Sequence, residues 1–353
     1  MEIDTFGIVV QGIYRLNNLS QLEFLKNNSI SINKWNEFLV LSPYTSAFQT
    51  PSFFNFFNSV SGLASEVFAV EESSEIRALC VVTLQKEAGL KSYFSRRAIV
   101  YGGPVLINND ISVLTYLLTG ISIELKRKVI YTEIRSLNDY NRFNKIFERN
   151  GWQIIPYHNF KVDCSDREKL FQNLGNNRKR QIKKAINSGV KIKNAENLDD
   201  INAFYSILKN LYNKKVKKPL FPQIFFNDFF KWNSGNFLLV IYNHKIIGGI
   251  MCPILEGKCL YEFYICGLDE EYKDQYPSVI ATWAGLIYAN ENNIPVFDFM
   301  GAGKKGKDYG VRDFKARFGG EPINQDRYLK INNIILYRIG QLALNIIKIF
   351  KEK

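Results

Sequence analysis

The predicted elements run through one plan twice, and this repeat limits the fold more than any other feature. From Asn33 the chain reads as a helix, "NKWNEFLVLS", then a Pro-broken, Phe-rich helix in "FQTPSFFNFFNSV". Strands follow in "EVFAVEE", "IRALCVVTLQKE" and "RAIVYGGPVLI", set apart by charged or glycine-containing turns. A long helix, "DISVLTYLLTGISIELKRK", opens on Asp110 and closes on basic residues that suit its C-terminal dipole. A strand, "VIYTEIRSL", and a helix bounded by Asn138 and Gly151 finish the first round. The second round has helices in "NLDDINAFYSILKNLYNKK" and "PQIFFNDFFKWN", then strands in "NFLLVIYN", "KIIGGIMCPIL" and "KCLYEFYICGL". The helix "YPSVIATWAGLIYANENN" and the strand "IPVFDFM" complete it. Only the order recurs, so the duplication is structural. Three antiparallel strands, a helical crossover and one more strand make an α+β domain with a mixed, mostly antiparallel sheet. At 353 residues the chain is long for one core. We read residues 1–160 as an N-terminal domain and 161–320 as a C-terminal one, with 321–353 completing the first.

Between the halves, Ser165 or Asp166 caps a helix that breaks at Gly175–Asn177. A basic helix, "NRKRQIKKAINSG", follows, with Arg178, Lys179, Arg180, Lys183 and Lys184 around a narrow apolar seam of Ile182, Ala185 and Ile186. Two readings fit it: a solvated face between domains, or a phosphate-binding ridge formed by Arg178, Arg180 and Lys183. Forty-six Lys and Arg against 34 Asp and Glu leave a net charge of +12. That balance favours anionic partners such as nucleic acid, a phosphate-bearing donor or an acidic membrane face. General lysine enrichment would give the same number.

Several classes are disfavoured. The five cysteines, Cys80, Cys164, Cys252, Cys259 and Cys266, and the two histidines, His158 and His244, show no zinc-ligand spacing. No metal site or disulfide scaffold is expected, and the thiols read as core residues of a reducing compartment. With so few histidines, no Ser-His-Asp or Cys-His arrangement can be argued, which disfavours covalent catalysis. The N-terminus sets Glu2 and Asp4 ahead of a short apolar run and Arg15 behind it, the wrong polarity for a signal peptide. No stretch approaches about 20 uninterrupted apolar residues, and a cytoplasmic location is expected. The final segment, "NNIILYRIGQLALNIIKIF", carries Arg338, Gln341, Asn345 and Lys348 on one helical stripe and is otherwise mostly aliphatic. Such a helix packs on a domain or makes a peripheral membrane contact.

The densest stretch is "VFDFMGAGKKGKDYGVRDFKARFGG". Within its strand Val296, Asp298 and Met300 share one face, opposite Phe297 and Phe299. Asp298 thus stands where an apolar residue is expected. It either bonds turn amides at the strand end or orients a neighbour in a site. The glycines after it let a ligand or loop approach the backbone. Lys304, Lys305 and Lys307 read as solvated loop charges or as contacts to donor phosphates.

This order of motifs resembles the FemAB-like branch of GNAT-type acyltransferases, bacterial enzymes built from two GNAT-like domains. The resemblance rests on "FQTPSFFNFF", "NRKRQIKKAINSGVKI", the run from Leu260 to Gly303 and "DFKARFGG". It implies transfer of an acyl or aminoacyl group from acyl-CoA or aminoacyl-tRNA to an amine, with no further cofactor. The acceptor it implies is a cell-envelope precursor, of peptidoglycan or polysaccharide. It places Phe314 and Lys315 at the acyl-transfer centre. There a lysine held between Phe314 and Phe318 would be partly desolvated and would stabilise the developing oxyanion. The competing reading is a surface lysine snorkelling over two core aromatics. Tyr264 matches an acceptor-contacting position. Glu262 reads as a base for the acceptor amine or as half of a cross-strand ion pair. Two family features are missing: the long helical arm of some tRNA-dependent members, and the spaced-glycine loop of acetyl-CoA users, replaced here by "GLDEEYKDQYPSV". A catalytically silent module of the same fold, binding nucleic acid or an envelope precursor, is the alternative.

Overall fold

A computed structural model describes residues 22–86, 92–232, 234–306 and 310–351. The N-terminal apolar run and Lys307 lie outside these described residues.

The first half begins with β1 (Glu23–Lys26), α1 (Ile32–Leu41) and α2 (Pro51–Ser59). Thr50 fixes the start of α2 by accepting from the Phe53 N–H, with Pro51 at the first helical position. There follow β2 (Ala64–Glu72), β3 (Glu75–Gln85), a short α3 (Ser92–Ser95), β4 (Arg97–Gly102) and β5 (Val105–Leu106). The crossover helix α4 (Ile111–Leu125) is capped by Asp110, whose carboxylate accepts from Ser112 and Val113 N–H. It leads to β6 (Tyr131–Ser136), α5 (Asn144–Arg149) and β7 (Gln153–Ile155).

The second half contains β8 (His158–Asp163), α6 (Arg167–Gln172), α7 (Asn176–Asn187), β9 (Lys191–Asn194), α8 (Leu198–Leu211) and α9 (Gln223–Lys231). Its meander is β10 (Gly235–Tyr242), β11 (Lys245–Leu255), β12 (Cys259–Tyr261) and β13 (Tyr264–Gly267). The crossover α10 (Pro277–Glu291) leads to β14 (Val296–Asp298), α11 (Gly310–Ala316) and β15 (Glu321–Asn324). The chain then returns to the first sheet as β16 (Arg327–Ile331) and ends in α12 (Ile334–Lys351).

Among the described residues each sheet has eight strands. The first runs β1-β2-β3-β4-β6-β16-β7, with β5 beside β3; the second runs β15-β8-β14-β12-β11-β10-β9, with β13 beside β11. The fold is α+β, two mixed and mostly antiparallel sheets flanked by helices. The change of sheet falls between Ile155 and His158. Glu321–Asn324 pairs with β8, so the return to the first sheet begins only at Arg327, later than the sequence reading set it.

The two halves differ at their parallel pairs. β4 and β6 stay paired from Arg97↔Tyr131 to Gly102↔Ser136. β12 and β14 pair only from Cys259↔Val296 to Tyr261↔Asp298 and then part. The stretch "KCLYEFYICGL" is therefore two strands, not the single one expected. The Glu262 N–H bonds the Asp298 carbonyl, whereas the next N–H, of Phe263, turns to Met251 on β11. β14 also stops early, because Met300 and Gly301 take left-handed φ of +55° and +124°.

The halves share one aromatic core. Phe48 packs on Tyr261 and Phe263 at 5.2 and 5.5 Å between ring centroids, and Phe56 stacks on Trp232 at 4.9 Å. Each buried Phe contributes about 1.5–3 kcal/mol, so several across the seam hold the two sheets as one body. All five cysteines are buried and free. No helix among the described residues is long and apolar enough to cross a membrane.

Candidate active site

Where β12 and β14 part, Lys315 of α11 fills the gap. Its ammonium donates to the carbonyl oxygens of Phe299 (2.8 Å) and Gly301 (2.9 Å) and lies 2.9 Å from Glu262 Oε1. Lys315 is 7% exposed and Glu262 6%. A lysine ammonium has three N–H donors, and these three acceptors take all of them. Burial pushes the Glu262 carboxyl above its ordinary value; Lys315 opposes the rise and Asp298 adds to it. Glu262 Oε2 is buried with no hydrogen-bond partner among the described residues. A proton arriving at this pair therefore has a carboxylate oxygen ready to receive it.

Phe314 stands elsewhere than the sequence reading put it. The rings of Phe314 and Phe318 lie 5.3 Å apart, but they flank Arg178 and not Lys315. The Arg178 guanidinium sits 4.4 Å over Phe314 and 5.1 Å over Phe318. Lys315, one position on from Phe314, projects to the other side, over the Phe299 ring at 5.2 Å. A step of one residue on a helix turns the side chain by more than a quarter circle, so neighbours in sequence face different surroundings.

Arg178 consequently leaves the proposed ridge. It recurs with Ile182 and Ala185 at i, i+4 and i+7, the buried stripe of α7. Burial, helped by neighbouring Arg317 and opposed by Asp269, lowers its guanidinium to about 10, which leaves it charged at neutral pH. It donates to Gln181. Arg180 and Lys183 are exposed and line an open depression along α7 with Asn176, Lys179 and Asn187. Among the described residues neither has a carboxylate partner, whereas Lys184 is held by Asp274 at 2.7 Å.

Asp298 is fully buried. Its Oδ1 accepts from the Met300 N–H and from Asn159 Nδ2, both at 2.7 Å, and Lys161 Nζ lies 3.4 Å from Oδ2. It thus bonds a turn amide and also holds the Asn159 side chain. Asn159 also donates to Gln325, and its own oxygen accepts from the Gly301 N–H. Gln325 and Lys161 both donate to the Leu137 carbonyl of the first half, each at 2.7 Å. This polar chain ties the strand end under Lys315 to the other sheet. Asn159, Lys161 and Gln325 gave no sequence signal, because each is an ordinary polar residue until the fold brings them together.

Tyr264 is half-buried at the seam, its ring 5.2 Å from Phe226 and 5.0 Å from Phe263. Burial raises its hydroxyl well above the usual value, with Arg135 and Arg97 of the first sheet opposing. Those arginines belong to a polar sheet face that sequence reading missed. Arg135 and Arg327 both pair with Glu133, at 2.9 and 3.1 Å. Burial works against the Glu133 charge, but the two guanidinium groups hold its carboxyl down to about 2.

The N-terminus of α10 is occupied by the protein itself. The Ser278 N–H donates to Asp269 Oδ1 at 3.0 Å, and the Ser278 hydroxyl bonds the other carboxylate oxygen. Gly267 packs so closely there that a Cβ would come within 2.6 Å of the Ser278 nitrogen. A helix start of this kind binds anions through free amides; here a side-chain carboxylate takes the Ser278 amide. Among the described residues no His, Cys, Asp and Glu cluster could hold a metal ion.

Two mixed sheets in one chain, the second with a parted parallel pair, have the fold of tandem GNAT proteins. Residues 150–231, the domain junction and its basic helix, match the FemAB family model. Among solved structures, FemX superposes with a TM-score of 0.67 at 12% identity, over 89% of this chain and 99% of that one. A tandem GNAT protein from the clavulanic acid biosynthesis pathway gives 0.58 at 10% identity, over 89% and 99%. L-PGS from Bacillus licheniformis gives 0.53 at 12%, over 89% and 96%. No curated protein matches by sequence.

Proposed function

We propose that the chain is an acyltransferase that moves an acyl or aminoacyl group onto an amine of a cell-envelope precursor, with Lys315 as its oxyanion-stabilising group. The observation that carries this reading is the buried Lys315–Glu262 pair at the point where the parallel strands part. The FemAB match and the similarity to FemX support the reaction class.

The acceptor amine attacks the donor carbonyl carbon, the C–N bond forms, and negative charge gathers on the carbonyl oxygen. Glu262, with its raised proton affinity, takes the proton that the new ammonium must lose. A protonated Glu262 no longer holds Lys315 as an ion pair, so an N–H of the lysine turns to the oxyanion. Collapse breaks the bond to the leaving oxygen or sulfur, which receives the proton, and the pair is restored. The donor carries phosphates in either form, and exposed Arg180 and Lys183 supply charge for them. With Asp269 on the α10 terminus, aminoacyl-tRNA is the donor favoured over acyl-CoA. Both are cytosolic compounds, which supports a cytoplasmic reaction.

A second reading has one observation in its favour. All three Lys315 donors are spent inside the protein, as they would be in a module that binds without catalysis. Single-turnover transfer from charged tRNA to an amine acceptor, in wild type and Lys315→Met, decides between the two. Loss of transfer with retained tRNA binding supports the enzyme, and equal behaviour of the two proteins supports the binding module. A mass spectrum of ligands retained by the native protein identifies the donor and acceptor to use.

A further inference from the structure

We propose that α3 and α12 form a docking surface for an anionic lipid bilayer. This is independent of the transfer chemistry. The helix α12 turns Leu336, Tyr337 and Gly340 toward the protein, Tyr337 meeting Tyr131 at 5.4 Å between rings. Its other side carries Ile335, Ile339 and Leu342, spaced i, i+4 and i+7 and therefore on one stripe. These are 68%, 45% and 62% exposed. An attached helix normally buries its aliphatic stripe against its own domain; this one presents it outward.

The stripe is not isolated. α3 packs beside α12, and its Tyr93 and Phe94 are half exposed, their rings 5.2 Å apart. Aromatic side chains beside aliphatic ones suit the headgroup–acyl boundary. The charge around the patch decides the occupant. From Ile334 to Lys351 the sequence has Arg338, Lys348 and Lys351 and no Asp or Glu. Arg338 follows Ile335 by three residues and precedes Leu342 by four, so it borders the stripe directly. Arg96 lies 5.1 Å over the Tyr93 ring. Arg338 and Arg96 beside an apolar stripe match an anionic membrane surface. A second copy seated on the same face would set these like charges against each other. Because the helix cannot cross a bilayer, it lies along one.

The test is co-sedimentation of the full chain with vesicles of phosphatidylcholine, with and without phosphatidylglycerol. Binding is expected to the phosphatidylglycerol vesicles only, and to weaken with salt. Replacing Ile335, Ile339 and Leu342 together by Gln is expected to reduce it by about tenfold or more with an unchanged thermal melt. An environment-sensitive dye on Leu342→Cys gives a second readout should the triple variant misfold, and its emission shifts to the blue on adding those vesicles. No sedimentation, no dye shift, or equal binding by a folded triple variant overturns the proposal. Dye shielded without lipid also overturns it: shielding lost on dilution assigns the face to a second copy, and shielding lost on removing residues 1–21 assigns it to that segment.

Discussion

Lys315 and Glu262 form the one ion pair, among the described residues, in which both side chains are less than a tenth exposed. Desolvating two charges costs about what their attraction returns, so a buried pair adds little net stability over apolar residues of similar shape. Stability therefore gives no reason for this pair to sit at the parting of β12 and β14. The proposed function supplies one: it puts a cation and a proton acceptor beside the reacting carbonyl.

Lys315→Met is expected to lower turnover by roughly 10²-fold or more, as loss of one oxyanion donor does. It also leaves Glu262 buried without its cation, at a cost of about 3–5 kcal/mol. Adding Glu262→Gln removes that orphaned charge, so the double variant recovers much of its melting temperature and none of its turnover. Calorimetry and single-turnover rates on the three proteins check this. A double variant as active as wild type would exclude Lys315 from the chemistry.

The acid limb of activity is expected to follow Glu262. Its folded value lies above the ordinary 4.5, so the base form appears, and kcat/KM rises, at higher pH than for a free carboxylate. Stability runs the opposite way. The folded state holds the proton more tightly than the unfolded one, so wild-type stability falls as pH climbs from about 4.5 through the folded value. In Glu262→Gln both dependences should disappear, and urea unfolding across that window measures the second. A limb that survives the substitution assigns it to another group.

The basic helix divides by burial. Arg180→Gln with Lys183→Gln is expected to reduce the slope of log K for tRNA against log salt by about 1.5, with no change in melting temperature. Arg178→Gln removes the guanidinium from between Phe314 and Phe318, costs about 1–2 kcal/mol and leaves the slope alone. An unchanged slope in the double variant would make the exposed ridge a solvated surface.

Acetyl-CoA is expected to bind wild type weakly, because Asp269 sets a carboxylate at the α10 start and already holds its Ser278 N–H. Asp269→Asn lifts the charge repulsion, and Asp269→Gly also frees the Ser278 N–H, so affinity should rise in that order. Titration calorimetry at matched ionic strength reads it. Tight, saturable wild-type binding that survives moderate salt would move the donor to CoA.

The sequence by itself determined the architecture. Hydrophobic period, caps such as Asp110, and the order of elements are local or additive signals, and they yield two α+β halves of the same plan. It also singled out Glu262 and Asp298, charges inside apolar strands that are visible without a fold, and Lys315, set between two phenylalanines in a motif the family resemblance shares. Tertiary structure decided what those residues face. Glu262 meets Lys315 only because the backbone changes partner between Glu262 and Phe263, a long-range choice with no local signature. Arg178 and Arg180 look alike in sequence, yet the buried stripe of α7 takes one and leaves the other in solvent. Asn159, Lys161 and Gln325 become a connected chain only when β8 and the return to β16 bring them together. Burial and pairing depend on residues far apart in the chain, so they become readable only once the two sheets have closed on each other.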